Sequence, residues 1–360
     1  MNKTFQVRTF TSSIKTRFVA LCAIVFLLPF SAWTATLQID RVEPPHWWVG
    51  MKSQQLELMI HARDIRNAKP SLQYPGVTLV GTHASDNPNY LWLQLKVSAN
   101  TQPGVLNIKL RQGQDSTVVR YELQAREKDS ARREGFSSAD VVLNLMPDRF
   151  ANGDPSNDNQ AGFADKANRE SKQGRHGGDI AGLVKNLDHI AGMGYTAIWP
   201  TPLLENNQPA FSYHGYASTD NYRIDARYGS NEDYRRMVQT AKQKGLKFIQ
   251  DIVPNHIGDH HWWMRDLPAK DWLSNRNTFT PTNHARTTIS DPYASALDRE
   301  GFTQGWFAPS MPDMNGRNPR VANYLIQNAI WWVEYAGLAG IRVDTYGYSD
   351  KNFINEWVSA

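Results

Sequence analysis

The ten residues KFIQDIVPNH, Lys247 to His256, decide the reading of the fold. An apolar run without strict alternation, closed by a proline, is the pattern of a strand covered on both faces. Three other runs share it: VVLNLM (Val141 to Met146), TAIWP (Thr196 to Pro200) and GIRVD (Gly340 to Asp344). Between them lie the helical patterns DIAGLVKNLDHIAGMG, NEDYRRMVQTAKQKG and PRVANYLIQNAIWWVEYAG, each ending in glycine, a stop signal. Strand and helix in alternation predict parallel βαβ units. The stretch 256–318 is too long for an ordinary connection and reads as a functional insertion or small subdomain.

Upstream the grammar is different. From about Leu37 to Arg126, short runs such as Leu56, Leu58 and Ile60, or YLWLQLKV at Tyr90 to Val97, suggest period-two alternation between PG, NP and QG turns. That predicts an antiparallel β-sandwich. The charged REKDSARRE, Arg126 to Glu134, reads as a linker.

A formal net charge of +4 would hint at a nucleic-acid partner. The excess is local, because Lys3, Arg8, Lys15 and Arg17 lie in residues 1–35, which contain no acid; without those four, basic and acidic residues balance. The electrostatic case for nucleic acid disappears with them. That leader carries an apolar run from Phe18 to Phe30 and small residues around SAWTA, the order of a secretory signal peptide cleaved near Ala35. The run is short for a membrane span. A secreted or periplasmic protein without an integral span is expected, and its one cysteine, Cys22, falls in the leader.

Polar residues gather where the parallel strands end: Asp148 and Arg149, then Asp251, Asn255 and His256, then Arg342 and Asp344. In a parallel α/β barrel these ends form one face, where active sites are built. Arg342 and Asp344, two apart on one strand, point to the same side, so the arginine can hold the aspartate ionised. On these two residues alone, a structural ion pair at a strand end is the favoured reading.

The wider pattern carries more. DIVPNH and GIRVD resemble two signature regions of the α-amylase superfamily, glycoside hydrolase family 13. GYTAIWPTPLLE (Gly194 to Glu205), MPDMN (Met311 to Asn315) and YHGYASTDNYRID (Tyr213 to Asp225) resemble further segments in the family's order. The N-terminal PPHWWVGM, Pro44 to Met51, is similar to the N-domain of the neopullulanase and cyclomaltodextrinase subgroup. Trp47 and Trp48 within it are either sugar platforms or sandwich core, with core the commoner fate of such pairs.

The resemblance implies a β-sandwich followed by a (β/α)8-type barrel, of which four strands are present. Residues 1–35 are then the signal peptide, 36–126 the sandwich, 127–255 the first part of the barrel, 256–318 an inserted loop subdomain and 319–360 the barrel continued. It implies a retaining hydrolase of α-1,4-glucans such as maltodextrins, cyclodextrins or pullulan, with homodimerisation through the N-domain. Asp344 becomes the nucleophile and Arg342 its charge partner. Tyr216, His256 and His214 become substrate-binding residues, and Asp251 braces Arg342.

NGDPSND, Asn152 to Asp158, and the following GGD, Gly177 to Asp179, read by composition as turns. The resemblance makes them a structural calcium loop, with Asn152, Asp154, Asn157, Asp158, Asp179 and the Gly177 carbonyl as ligands.

Two departures stand out. The family's general acid, a glutamate after a fifth strand, and a third essential aspartate after a seventh have no counterpart in the 360 residues, so a longer enzyme is expected and the chain alone is expected to be inactive. Glu356, on a helix reading as external, is not expected to substitute. TYGY stands where many α-amylases carry a lysine–histidine pair, which leaves the leaving-group subsites and bond preference open. The competing reading is a non-catalytic maltodextrin-binding protein that keeps the stacking aromatics.

Overall fold

The computed structural model describes Met1 and residues 37–360; the expected signal peptide lies outside the described residues. The N-terminal strands are β1 (Arg41–Glu43), β2 (Trp47–Trp48), β3 (Gln55–His61), β4 (Lys69–Leu72), β5 (Val77–Ala84), β6 (Tyr90–Val97), β7 (Gly104–Gln112) and β8 (Asp115–Gln124). They form two sheets, ordered β1-β3-β6-β5 and β2-β8-β7-β4. Pairing is antiparallel except between β2 and β8. β7 and β8 alternate between buried and exposed as a half-solvated sandwich strand should.

The alternation expected of Tyr90 to Val97 is not observed. Six of the eight residues in β6 are buried, including its first four, because the inserted segment covers the outer face. Tyr90 stacks on Trp262 at 6.3 Å, and Trp92 lies 6.1 Å from Trp272. Asp266 fixes this contact: its carboxylate accepts from Asn87, from Asn89 at 2.8 Å and pairs with His61 at 2.9 Å. Trp47 and Trp48, each 4% exposed, are core.

The second half contains β9 (Val142–Leu145), α1 (Pro147–Phe150), α2 (Ile180–Lys185), α3 (Leu187–Gly192), β10 (Ala197–Pro200), β11 (Leu204–Glu205), β12 (Asp220–Ile224), α4 (Asn231–Gln243), β13 (Lys247–Ile252), α5 (Ala296–Thr303), α6 (Pro319–Ala336), β14 (Gly340–Val343) and α7 (Lys351–Ser359). β9, β10, β13 and β14 form a wholly parallel sheet in that order, while β11 and β12 make a separate hairpin. β13, deep in the sheet, is buried as its sequence predicts; β9 and β14, at the edges, are largely half-exposed or exposed despite equally apolar sequences. Among the described residues no helix is long and apolar enough to cross a membrane.

α6 joins the two halves. Asn318 caps its start and Gly337, at φ +74°, ends it. Trp331 on α6 packs 5.2 Å from His46 beside Trp48, and the Gln327 amide exchanges two hydrogen bonds of 2.8 Å with the Glu57 backbone. The stretch read as a linker is docked on the end of the same helix. Arg126 pairs with Glu334 at 2.6 Å and Arg133 donates to the Val333 carbonyl at 3.1 Å. A run of charges marks surface, but here its arginines satisfy groups at a helix C-terminus.

The same junction holds a buried acid. Glu43 accepts from the Tyr324 hydroxyl at 2.8 Å and from Arg41 at 3.3 Å, while Arg41 also donates to the buried Asp220 at 2.7 Å. Burial, then the neighbouring Asp220 charge, pushes Glu43 from 4.5 up to about 7 against its bonds to Arg41 and Tyr324. A folded-state value above the unfolded one means that stability is fully present below pH 4.5 and is lost as pH rises through 7. In urea unfolding, wild type should lose on the order of 3 kcal/mol more than Glu43→Gln between pH 4.5 and 8. Parallel pH dependences for the two proteins would refute this.

Candidate active site

Parallel register builds the centre of the site. Asp251 on β13 stands directly beside Arg342 on β14, so both project from neighbouring strands at the same level. Arg342 Nη1 lies 3.2 Å from each Asp251 carboxylate oxygen and donates to Asp344 Oδ1 at 2.5 Å. One guanidinium therefore serves two carboxylates.

Asp251 is closed to solvent and takes two more donors on Oδ2, Trp199 Nε1 at 2.9 Å and the Tyr216 hydroxyl at 3.1 Å. Burial pushes it above the ordinary carboxylate range, against the hydrogen bonds from Trp199 and Arg342. For Arg342, burial works against the charge, but Asp251 and Asp344 outweigh it and raise its value. The side chain of Asp344 keeps 17% exposure, and its Oδ2 receives no hydrogen bond among the described residues. The result is an oriented carboxylate with one open oxygen at a strand end.

Tyr216 reaches this centre from the loop before β12. Gly215 precedes it at φ +84°, where a Cβ would lie 2.2 Å from the Pro202 carbonyl oxygen, so only glycine fits. His214 Nδ1 accepts from the Tyr216 backbone N–H at 2.9 Å, and its ring stacks on Tyr216 at 5.9 Å. Burial lowers the His214 value. His256 is buried, with Nε2 2.9 Å from the Tyr216 carbonyl and Nδ1 3.0 Å from Asn255 Oδ1. Burial drives it down to about 4, so the ring is neutral at pH 7 and its single N–H serves one of these two acceptors. Asn255 is itself anchored by the buried Asp313, 2.9 Å away.

Asp344, Arg342, Asp251, Tyr216, His214 and His256 thus form one hydrogen-bonded set. Sequence reading missed Trp199, which holds Asp251 and lies with its ring 5.1 Å from the Arg342 guanidinium. Its place near the end of β10, a strand already recognised, was the available signal. Glu356 is exposed on α7, where Trp357 Nε1 reaches the Leu325 carbonyl of α6 at 3.3 Å; it has no part in the set.

The second predicted cluster lies between α1 and α2. Asn152 Oδ1 and Asn157 Oδ1 are buried without a hydrogen-bond partner. Asn152 Nδ2 donates to Asp158 Oδ1 at 2.7 Å, and Gly177, at φ +81°, faces that carboxylate so closely that a Cβ would meet it at 2.4 Å. Two orphaned amide oxygens, a carboxylate and a glycine backbone make an oxygen-rich cradle suited to a hard cation. Asp179 is occupied otherwise: Oδ1 accepts from Gly153 and Gly182, and Oδ2 from Asp154 N–H and Asn157. It caps α2 and folds the loop around itself. The Asp154 carboxylate is not brought into the cluster; it is exposed and accepts from Ser156, so only its backbone joins the loop.

Two family models match the chain. The model of the α-amylase catalytic domain matches residues 144–357, and that of the cyclomaltodextrinase N-terminal domain matches residues 41–127. The two matches fall on the two halves of the fold, the β-sandwich and the parallel α/β sheet with its arginine-braced carboxylate. The chain belongs to the α-amylase family. It is similar to neopullulanase 2 of Thermoactinomyces vulgaris, 33% identical over 220 residues, 60% of this chain and 35% of that one. The beta/alpha-amylase of Paenibacillus polymyxa is 32% identical over 62% of this chain and 18% of its own length. The structure of an Anoxybacillus α-amylase aligns with a TM-score of 0.52 at 31% identity, over 61% of this chain and 44% of that one. The α-amylase of Geobacillus thermoleovorans, solved with acarbose, aligns at 0.50 and 32% identity over 61% and 43%. The chain spans less than half the length of each of these relatives.

Proposed function

We propose that these residues carry the nucleophilic half of a retaining α-glucan hydrolase acting on α-1,4 bonds of maltodextrins, cyclodextrins or pullulan. The observation that supports it is the Asp251–Arg342–Asp344 array. Arg342 holds Asp344 oriented, and its free oxygen is open to a substrate. In this reading Asp344 Oδ2 attacks the anomeric carbon, the glycosidic C–O bond breaks, and water later displaces the sugar with net retention. The leaving oxygen takes a proton from a carboxylic acid about 5 Å from the nucleophile. Asp251, committed to Trp199, Tyr216 and Arg342, does not fit that role, nor does the exposed Glu356. Tyr216 stacks beneath the sugar ring and His256 lines the same subsite; without that donor the described residues bind glucan but do not turn it over.

Asn152, Asn157, Asp158 and the Gly177 carbonyl would hold calcium, which would neutralise the carboxylate and tie the loop after α1 to the start of α2. The basic and apolar order of residues 1–35 supports export.

In the protein carrying its proton donor, Asp344→Asn should lower maltodextrin hydrolysis by at least a thousandfold, read as reducing sugar released. A near wild-type rate would remove Asp344 from the role. Millimolar calcium should raise the melting temperature by several degrees, and Asp158→Ala should abolish the rise. An unchanged melting temperature in wild type, or a rise preserved in the variant, would contradict the metal assignment.

A further inference from the structure

Beside the loop that carries Tyr216 runs a groove of about 540 Å³, bordered by Asp165, Asn168, Ser171, Gln173, Pro209 and Phe211. Phe211 is anomalous there on two counts. Its backbone is left-handed, at φ 57° and ψ 17°, a region that asparagine or glycine occupies at lower cost. Its ring is 47% exposed, so core burial does not compensate the strain. Among the described residues it is the one apolar aromatic side chain at positive φ; most of the others are Asp or Asn. Strain that the fold does not require points to a role for the ring itself.

The groove and the catalytic centre share one loop. Phe211 opens the turn Ser212–His214, and Tyr213 follows with the Arg149 guanidinium 4.2 Å over its ring. Arg149 also donates to the carbonyl of Gly174 on the groove wall at 2.7 Å. His214 then stacks on Tyr216, whose hydroxyl reaches Asp251. The segment from Phe211 to Tyr216 therefore carries four rings, the first at the groove and the last bonded to Asp251. The exposed amides of Asn168 and Gln173 along the groove suit sugar hydroxyls, as the ring suits a pyranose face.

We propose that this groove is an outer subsite for an α-1,4-glucan, with Phe211 as the platform for glucosyl units beyond those at Tyr216. The proposal rests on the α-glucan reading above and adds chain-length selectivity to it. The Asp165 carboxylate, which accepts from the Ser212 backbone at 3.0 Å, holds Phe211 at the rim.

Titration calorimetry with maltotriose and maltoheptaose tests it. Phe211→Asn removes the ring while suiting the left-handed backbone; it should weaken maltoheptaose about five- to tenfold and leave maltotriose unchanged. Phe211→Tyr should restore the longer sugar, and Tyr216→Ala should weaken both. With the Asn variant's circular dichroism unchanged, wild-type affinity for maltoheptaose, or equal weakening of both sugars, overturns the outer subsite. Failure of the wild-type protein to bind either sugar while folded overturns the α-glucan reading and the subsite together.

Discussion

The site hangs on one guanidinium shared between two carboxylates. Arg342 would be costly to hold half-buried in the sheet without compensation, and Asp251 would be costlier still with no solvent contact. Each makes the other tolerable, and the pair then orients Asp344, two residues further on at the end of β14. Parallel register is the precondition, since Asp251 and Arg342 meet because residue 251 stands opposite residue 342. Slipping β14 by one residue would turn both Arg342 and Asp344 to the other face.

The fold supplies that register by packing from outside. α6 is held between the sandwich and β12 through Trp331, Trp332 and Gln327. The inserted segment leans on β6 through Asp266, Trp262 and Trp272, and returns to the β14 turn where Tyr348 meets His284 and Phe307. The N-terminal sandwich is thus part of the support for the loops around the site. Glu43, buried where β1 meets α6, makes that support sensitive to pH.

Much of this was legible in sequence because it depends on local rules. The four parallel strands announced themselves as apolar runs ending in polar residues, and the helices as periodic segments closed by glycines such as Gly245 and Gly337. What stayed hidden depends on distant partners. Tyr90 to Val97 promised alternation, but the inserted tryptophans cover its second face. Arg126 to Glu134 has the composition of a linker, yet its arginines find acceptors on α6. Trp199 reads as strand core until Asp251 is placed beside its indole N–H. Asp154 shows the opposite limit, for spacing places it among ligands while its hydrogen bonds to Ser156 turn its carboxylate away.

The central claim is that Asp344 accepts the glycosyl group. An activated maltosyl fluoride isolates that step, since fluoride leaves without the proton donor that a glycosidic oxygen needs. The account predicts that, after reaction, rapid acid quench and proteolysis, mass spectrometry finds one added maltosyl mass on the peptide containing Asp344 and none in Asp344→Asn. A label carried instead by the peptide containing Asp251 or Glu356, or no label on a folded protein that binds the sugar, would contradict it.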